Sequence, residues 1–278
     1  MTISKNLEYI HGYSNQEQER LVQQAQYWRD QLILKDLNYQ AGENLLEIGC
    51  GGGAILSILG QTFPGLKLAG IDLSDKQIEY AINHLSNFNL NNVDLKVGDA
   101  TVLPWRDNQF DHIYAIWFLE HLSNPLAVLE EAKRVLKPGG TITITETDYR
   151  TLLITPESSD YRYLIDSLCE LLLQAKGNPY VGQSLATLLA QAGFSQVKNQ
   201  QLPIHHVHSL DSYKLRGFVE YVYSWLAPTV EQAVTRLDKN YEKLQSGLNW
   251  FRRISDLHNG AVSVTIYRAS AVYHGHSK

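Results

Sequence analysis

Three groups of residues have the types and the spacing to do chemistry. The first is Glu47 followed by Gly49-Cys50-Gly51-Gly52-Gly53, where glycines permit a tight turn and let a ligand approach the backbone closely. The loop runs directly into a helical pattern, whose first N–H groups are unpaired and favour a negatively polarised group. With Ala54 it also satisfies the looser dinucleotide form G-x-G-x-x-A, so alone it does not separate one nucleotide-derived cofactor from another. The second is Asp72, at the end of an apolar run 23 residues after Gly49. A carboxylate there can accept from both ribose hydroxyls of an adenosine, in a nicotinamide or an adenosyl site alike. Ser74 is the better cap for the following helix, which leaves Asp72 for that task. The third is Gly98-Asp99-Ala100, and it separates the two readings. An acid at that strand tip can accept from an adenine N6 amino group, which dinucleotide enzymes do not require.

The elements that must hold these residues follow from periodicity. Ser14 and Glu17 have the spacing of a capping box, and Leu21, Ala25, Trp28, Leu32 and Leu34 continue one helical face within a helix expected over 6–39. Short apolar runs at 45–48, 67–72, 93–97, 110–115 and 141–146 alternate with helical patterns that begin near 54, 74 and 125. That alternation indicates βαβ units with a parallel sheet and right-handed crossovers. Further on, 157–176, 182–193 and 210–257 read as helical, while 195–207 and 261–267 read as extended. About 50 aromatic-rich helical residues between the last two strands are too many for a plain connection and read as a lid.

Composition narrows the class. The chain has 278 residues, 44% hydrophobic and 19% charged, which is ample for a folded core and excludes disorder and coiled coil. A net charge of −5 provides no basic surface for nucleic acid or an anionic membrane. Two cysteines make no disulfide framework and point to a reducing compartment. The N-terminus carries no apolar leader, and no run approaches membrane-spanning length, so a cytoplasmic protein is expected.

With Gly98-Asp99-Ala100, Leu103-Pro104, Phe110-Asp111, Trp117–Leu122 and Arg134-Val135-Leu136-Lys137-Pro138-Gly139-Gly140 in this order, the chain resembles the class I S-adenosylmethionine-dependent methyltransferases with small-molecule substrates. The match is close over 40–150 and looser elsewhere. The resemblance implies an α/β, Rossmann-like, mostly parallel sheet ordered 3-2-1-4-5-7-6, with strand seven antiparallel and helices on both faces. It divides a single domain, 1–278, into an N-terminal helical cover (1–40), a cofactor-binding core (41–148) and a helical segment by the substrate pocket (149–194). The last strands (195–207 and 260–273) then flank the lid (208–259). The implied cofactor is S-adenosyl-L-methionine, leaving as S-adenosyl-L-homocysteine. Carried over, Glu47, Gly49, Gly51 and Gly53 line its methionine part, Asp72 holds the ribose, and Leu73, Asp99 and Ala100 border the adenine. Ala115 presents a carbonyl to the amino group, and Tyr13, Arg20 and Gln24 close over the top.

The implied reaction is in-line methyl transfer to an O or N nucleophile of a small, partly apolar acceptor such as a specialised metabolite, with no nucleic acid and no membrane as partner. His121 is the first candidate for a base, because the segment after strand four borders the methyl group in this fold. His206 and His208 share a strand face, but no Cys or well-spaced carboxylate completes a ligand set, so no metal is expected. His11 is a third candidate. Aromatic residues of the variable segments, among them Tyr149, Phe218, Tyr221 and Trp225, suit an organic acceptor. The rival readings are a non-catalytic adenosyl-cofactor subunit or sensor and a nicotinamide-dependent oxidoreductase. An aminopropyl transferase would need acids for a polyamine where this chain has Trp117 and Phe118.

Overall fold

A computed structural model describes residues 14–275. Its sheet is built from β1 (Asn44–Ile48), β2 (Lys67–Asp72), β3 (Asp94–Val97), β4 (Phe110–Ile116), β5 (Leu136–Thr155), β6 (Ser195–Val207) and β7 (Ala261–Val272). Spatial order is β3-β2-β1-β4-β5-β7-β6. Strands β1 to β5 pair in parallel, and β7 runs antiparallel to both β5 and β6. The strand order reverses between β1 and β4, so the chain leaves the two central strands in opposite directions and opens a crevice at their carboxyl ends.

The helices are α1 (Asn15–Trp28), α2 (Ala54–Thr62), α3 (Asp75–Ser86), α4 (Pro125–Val135), α5 (Ser159–Gln174), α6 (Leu185–Gln191), α7 (His208–Leu237) and α8 (Tyr241–Arg253). Local chemistry sets their starts. Ser14, Ser74, Asn124, Ser158 and Asn240 each accept a backbone N–H of the first turn through their side-chain oxygen. Gly53 opens α2 in a left-handed conformation at φ 76°, and a Cβ there would meet Ala81 and Leu85 of α3.

Period-two alternation splits the apolar strand residues between two cores. Leu45, Tyr114, Ile116, Val264 and Ile266 pack on one face with α5, α7 and α8, while Leu46, Ile113, Ala115, Ile144 and Ala269 pack on the other with α4 and α6. The N-terminal cover is tied down by buried Arg268 of β7, which donates to the carbonyls of Leu32 and Lys35, to Thr145 Oγ1 and to Tyr114 Oη. A single π-helical turn, Arg29–Ile33, follows α1 and presents the Leu32 carbonyl, with that of Lys35 just beyond it.

Three boundaries differ from expectation. The helix expected over 6–39 is helical only from Asn15 to Ile33 among the described residues. Strand five, expected over 141–146, runs from Leu136 to Thr155, so the segment expected to be helical from 149 begins as strand. Its far end looks polar in sequence, but Asp148 is fully buried, accepts from Arg150 and Gln183, and lets the strand resume pairing with β7 at Leu153. Strand seven, Ala261–Val272, stays within the 260–273 expected for it and is paired along both edges. The lid expected over 208–259 is two helices, parted at Asp238 by a left-handed φ of 54°.

Candidate active site

The carboxyl ends of the central strands open into one cavity of about 340 Å³. On the side of β1, β2 and β3 its walls are Glu47, Gly49 to Gly52, Asp72, Leu73, Asp99 and Ala100. On the side of β4 and β5 they are Ile116 to Phe118, Glu120, His121, Thr147 and Tyr149. Helix α7 closes the second side with Phe218, Tyr221, Val222 and Trp225, and α1 lies over both with Arg20, Gln24 and Trp28.

The first side is mainly backbone and carboxylate. Gly49 and Gly51 have φ of 73° and 47°, in the left-handed region. A Cβ on Gly49 would lie 2.3 Å from Phe118, so glycine is required there for space as well as for φ. Asp72 braces this loop: one carboxylate oxygen accepts from Gly51 N at 2.9 Å and the other from Ser74 N at 2.9 Å. Each oxygen keeps a second lone pair. Burial pushes the Asp72 carboxyl above its ordinary value against the lowering effect of those N–H groups. Glu47 is buried and its Oε2 has no hydrogen-bond partner among the described residues. Burial, and then the neighbouring Asp72, push its carboxyl far up. Asp99 accepts from the backbone N and hydroxyl of Thr101, both at 2.8 Å, and Leu73 lies half-exposed at the mouth.

The second side is assembled from side chains. Trp117 takes a left-handed φ of 49°, rare for a bulky residue, and the bend is held by Trp117 N donating to Thr145 O and Nε1 donating to Thr147 Oγ1. The bend turns the N–H groups of Phe118 and Leu119 onto Glu146 Oε1 at 2.9 and 2.6 Å. Glu120 is buried beside this turn. Its Oε1 accepts from Tyr149 Oη at 3.2 Å and lies 3.5 Å from His121 Nε2, while Oε2 has no partner among the described residues. Burial pushes the Glu120 carboxyl up to about 7 and Glu146, which it faces, far above the carboxylate range. Burial pushes the His121 imidazole down to about 4. The aromatic wall is continuous: Tyr149 meets Trp225 edge-on at 5.8 Å, and Trp28 of α1 packs edge-on against Tyr221 and Phe218 of α7. Tyr27 stacks on Tyr221 at 4.9 Å and so fastens the cover to the lid.

The structure therefore brings Gln24, Glu47, Gly49, Gly51, Asp72, Leu73, Asp99, Ala100 and His121 to one cavity, together with Arg20. Arg20 is held by Glu17 and donates to Gln24 Oε1. Gly53 and Ala115 are not among the lining residues. Gly53 packs on α3, and the strand alternation that brings Ile116 to the cavity turns the Ala115 side chain to the α4 face. Tyr13 and His11 lie outside the described residues. His206 lies away from the cavity, its Nδ1 2.9 Å from Asp211 Oδ2. No group of three His, Cys, Asp or Glu suited to a metal occurs among the described residues, and no described helix is long and apolar enough to cross a membrane. Sequence reasoning passed over Glu120, whose only sequence signal is an acid beside His121 after strand four.

A family model described as Methyltransferase domain matches residues 46–144. The demethylmenaquinone methyltransferase of Tropheryma whipplei is 31% identical over 190 residues, covering 64% of this chain and 77% of that protein. The protein of the same name from Oceanobacillus iheyensis is 34% identical over 135 residues, covering 47% of this chain and 55% of that one. The chain spans about half the length of the first curated relatives it matches. Phosphoethanolamine N-methyltransferase 2 of Haemonchus contortus, solved with phosphomonomethylethanolamine and S-adenosylhomocysteine, superposes with a TM-score of 0.59 at 18% identity over 90% of this chain and 53% of that one. That likeness is one of fold. These matches set aside the nicotinamide reading of the glycine loop, and with the strand order they show that the chain belongs to the class I S-adenosylmethionine-dependent methyltransferases.

Proposed function

We propose that the protein catalyses in-line transfer of a methyl group from S-adenosylmethionine to an O or N nucleophile of a small, partly apolar organic acceptor. The observation that carries this reading is the joining of two unlike halves in one cavity: backbone and carboxylates at the ends of β1 to β3, aromatic side chains at β4, β5 and α7.

The residues of the first half fit the cofactor. The unpartnered Glu47 Oε2 suits its ammonium group, the glycine loop admits its amino-acid part against the backbone, and the spare lone pairs of Asp72 suit its ribose hydroxyls. Leu73, Ala100 and Asp99 offer an apolar rest and an acceptor for adenine. Bound there, the cofactor supplies a methyl group already activated on a sulfonium. The protein's own tasks are alignment and exclusion of water. Trp117 and Phe118 separate the halves at the bend after β4, Gln24 and Trp28 cover them, and α7 shuts the acceptor side. The printed names of the relatives support a quinone-type ring as the acceptor, and the faces of Trp28, Tyr221 and Trp225 suit a flat ring.

The test is transfer of isotope from methyl-labelled S-adenosylmethionine to 1,4-naphthohydroquinone, 2-naphthol or 2-naphthylamine. Label in an extracted ring product is the expected result. A donor that binds but labels none of these and no other aromatic acceptor would leave a cofactor-binding subunit in place of an enzyme.

A further inference from the structure

Of the carboxyl groups that line the acceptor half, Glu120 holds an oxygen without a partner among the described residues. Glu120 sits at the end of the bend after β4, and its backbone is clamped: Asn178 N donates to its carbonyl at 2.8 Å, and Gly177 packs so close that a Cβ would lie 2.3 Å from that oxygen. The side chain is buried, lines the cavity, and has its Oε1 taken by Tyr149. Among the described residues its Oε2 has no partner, and leaving such an oxygen buried and charged is costly unless a ligand donates to it. We propose, on the methyltransferase reading above, that Glu120 is the proton acceptor of the reaction and that the acceptor substrate is an uncharged aromatic hydroxyl donating to Glu120 Oε2. The hydroxyl proton passes to Glu120 and the O–H electron pair forms the O–CH₃ bond. The S–CH₃ bond breaks with its pair retained on sulfur as a thioether.

Three observations select this class. Among the described lining residues the one Lys or Arg is Arg20, which is gripped by both carboxylate oxygens of Glu17 at 2.7 Å, while the acceptor side carries the Glu120 carboxyl, so the wall does not favour an anionic acceptor. An ammonium brings a full charge and three donors into a cavity whose acceptor side is also lined by Leu152, Leu172 and Trp225, whereas a hydroxyl brings no charge. A hydroxyl has one donor, and its ring can lie against the aromatic wall. The groups that set the proton affinity of Glu120 also suit a base working near neutrality. Burial opposes its charge, the Tyr149 hydroxyl favours it, and Glu146, kept protonated by its own burial, is a neutral neighbour together with Tyr221 of α7 and Cys169 of α5. His121, with its depressed affinity for protons, is neutral at that pH and a weaker proton holder than Glu120.

The test uses the whole chain saturated with S-adenosylhomocysteine and two probes of one shape, 2-naphthol and its methyl ether 2-methoxynaphthalene. Each is titrated by calorimetry from about pH 5 to about pH 9. Expected is a preference for 2-naphthol of about ten-fold above neutrality that fades as pH falls and Glu120 takes up its proton. In Glu120→Gln the pH dependence vanishes and the preference shrinks, because one amide oxygen is left for Tyr149 and the probe, while the methyl ether binds as in wild type. In Tyr149→Phe the preference sets in at higher pH, because the carboxylate loses a donor. Equal affinity of the wild type for both probes at every pH overturns the proposal, as does a pH dependence that survives in Glu120→Gln or binding of neither probe. Tighter binding of 2-naphthylmethylammonium than of 2-naphthol overturns it in favour of an amine. Failure of S-adenosylhomocysteine itself to bind is a separate result against the methyltransferase reading, and the probe titrations repeated without it still decide whether Glu120 accepts from an aromatic hydroxyl.

Discussion

The two halves of the cavity are built by opposite means. At β1 to β3 the wall is glycine backbone and three carboxylates, each at or within a few residues of the end of its strand, two of them braced locally, Asp72 by Gly51 and Ser74 and Asp99 by Thr101. At β4, β5 and α7 the wall is large side chains brought from positions more than 100 residues apart, such as Trp117 and Trp225. The first half can hold a fixed ligand because its shape is set by φ angles and short hydrogen bonds. The second can change its occupant by exchanging side chains on α7 without disturbing the sheet. If this division is real, substitutions in one half should leave the other working.

The largest effect is expected from Gly49→Ala. The left-handed φ and the 2.3 Å approach to Phe118 force the loop or the bend after β4 to move, which should cost about 2–4 kcal/mol of stability and weaken S-adenosylhomocysteine binding at least ten-fold. Thermal melting and calorimetry would measure both, and wild-type behaviour in either would show that the loop is not held as described. Next comes Asp72→Ala, which removes charge-assisted hydrogen bonds of about 1.5–3 kcal/mol and should weaken S-adenosylhomocysteine more than ten-fold. Asp72→Asn sharpens the point: its one carbonyl oxygen can serve only one of the two backbone donors, so an intermediate loss is expected. Unchanged affinity in folded Asp72→Ala would remove Asp72 from the ribose.

Trp225→Ala addresses the other half. Loss of its edge-on contact with Tyr149, about 0.5–1.5 kcal/mol beyond area, should weaken 2-naphthol several-fold while S-adenosylhomocysteine binds as before. A matching loss of cofactor affinity would break the division between the halves. The last effect is on stability against pH. The carboxyls of Glu47, Glu120 and Glu146 titrate higher in the folded protein than in the unfolded chain. Above about pH 4.5 the unfolded chain binds fewer protons than the folded one, so stability falls as pH rises through this window, by about 1.4 kcal/mol per unit of separation. The melting temperature of the free protein should decline from pH 5 to pH 8, less steeply in Glu146→Gln and less steeply in wild type with S-adenosylhomocysteine bound. A flat or rising profile contradicts the buried, unpaired state of these acids.

How much was legible in the sequence follows the same division. The strand–glycine–helix passage at 44–62, the acids Asp72 and Asp99 and the caps Ser14 and Ser74 all depend on neighbours within a few residues, and they stand where spacing put them. The strand order came from resemblance, since no local pattern encodes which strand lies beside which. Glu120 was not legible as a chemical group. Its state depends on burial among Glu146, Tyr149 and Tyr221, none of which is near it in sequence. Side-chain direction along β4 shows how fine the limit is: one step decides between the cavity, at Ile116, and the opposite core, at Ala115, and a buried strand hydrophobic on both faces gives no alternation to tell them apart. The extension of β5 past Asp148 was hidden for a related reason, because a buried acid satisfied by Arg150 and Gln183 reads as loop until its partners are known.

The most direct measurement is calorimetric titration of the purified protein with S-adenosylhomocysteine, with NADH as the control. One molecule of S-adenosylhomocysteine bound per chain, with no heat from NADH, is the result the account predicts. Binding of NADH, or of neither compound, would contradict the assignment of Glu47, Asp72 and Asp99 to an adenosyl cofactor.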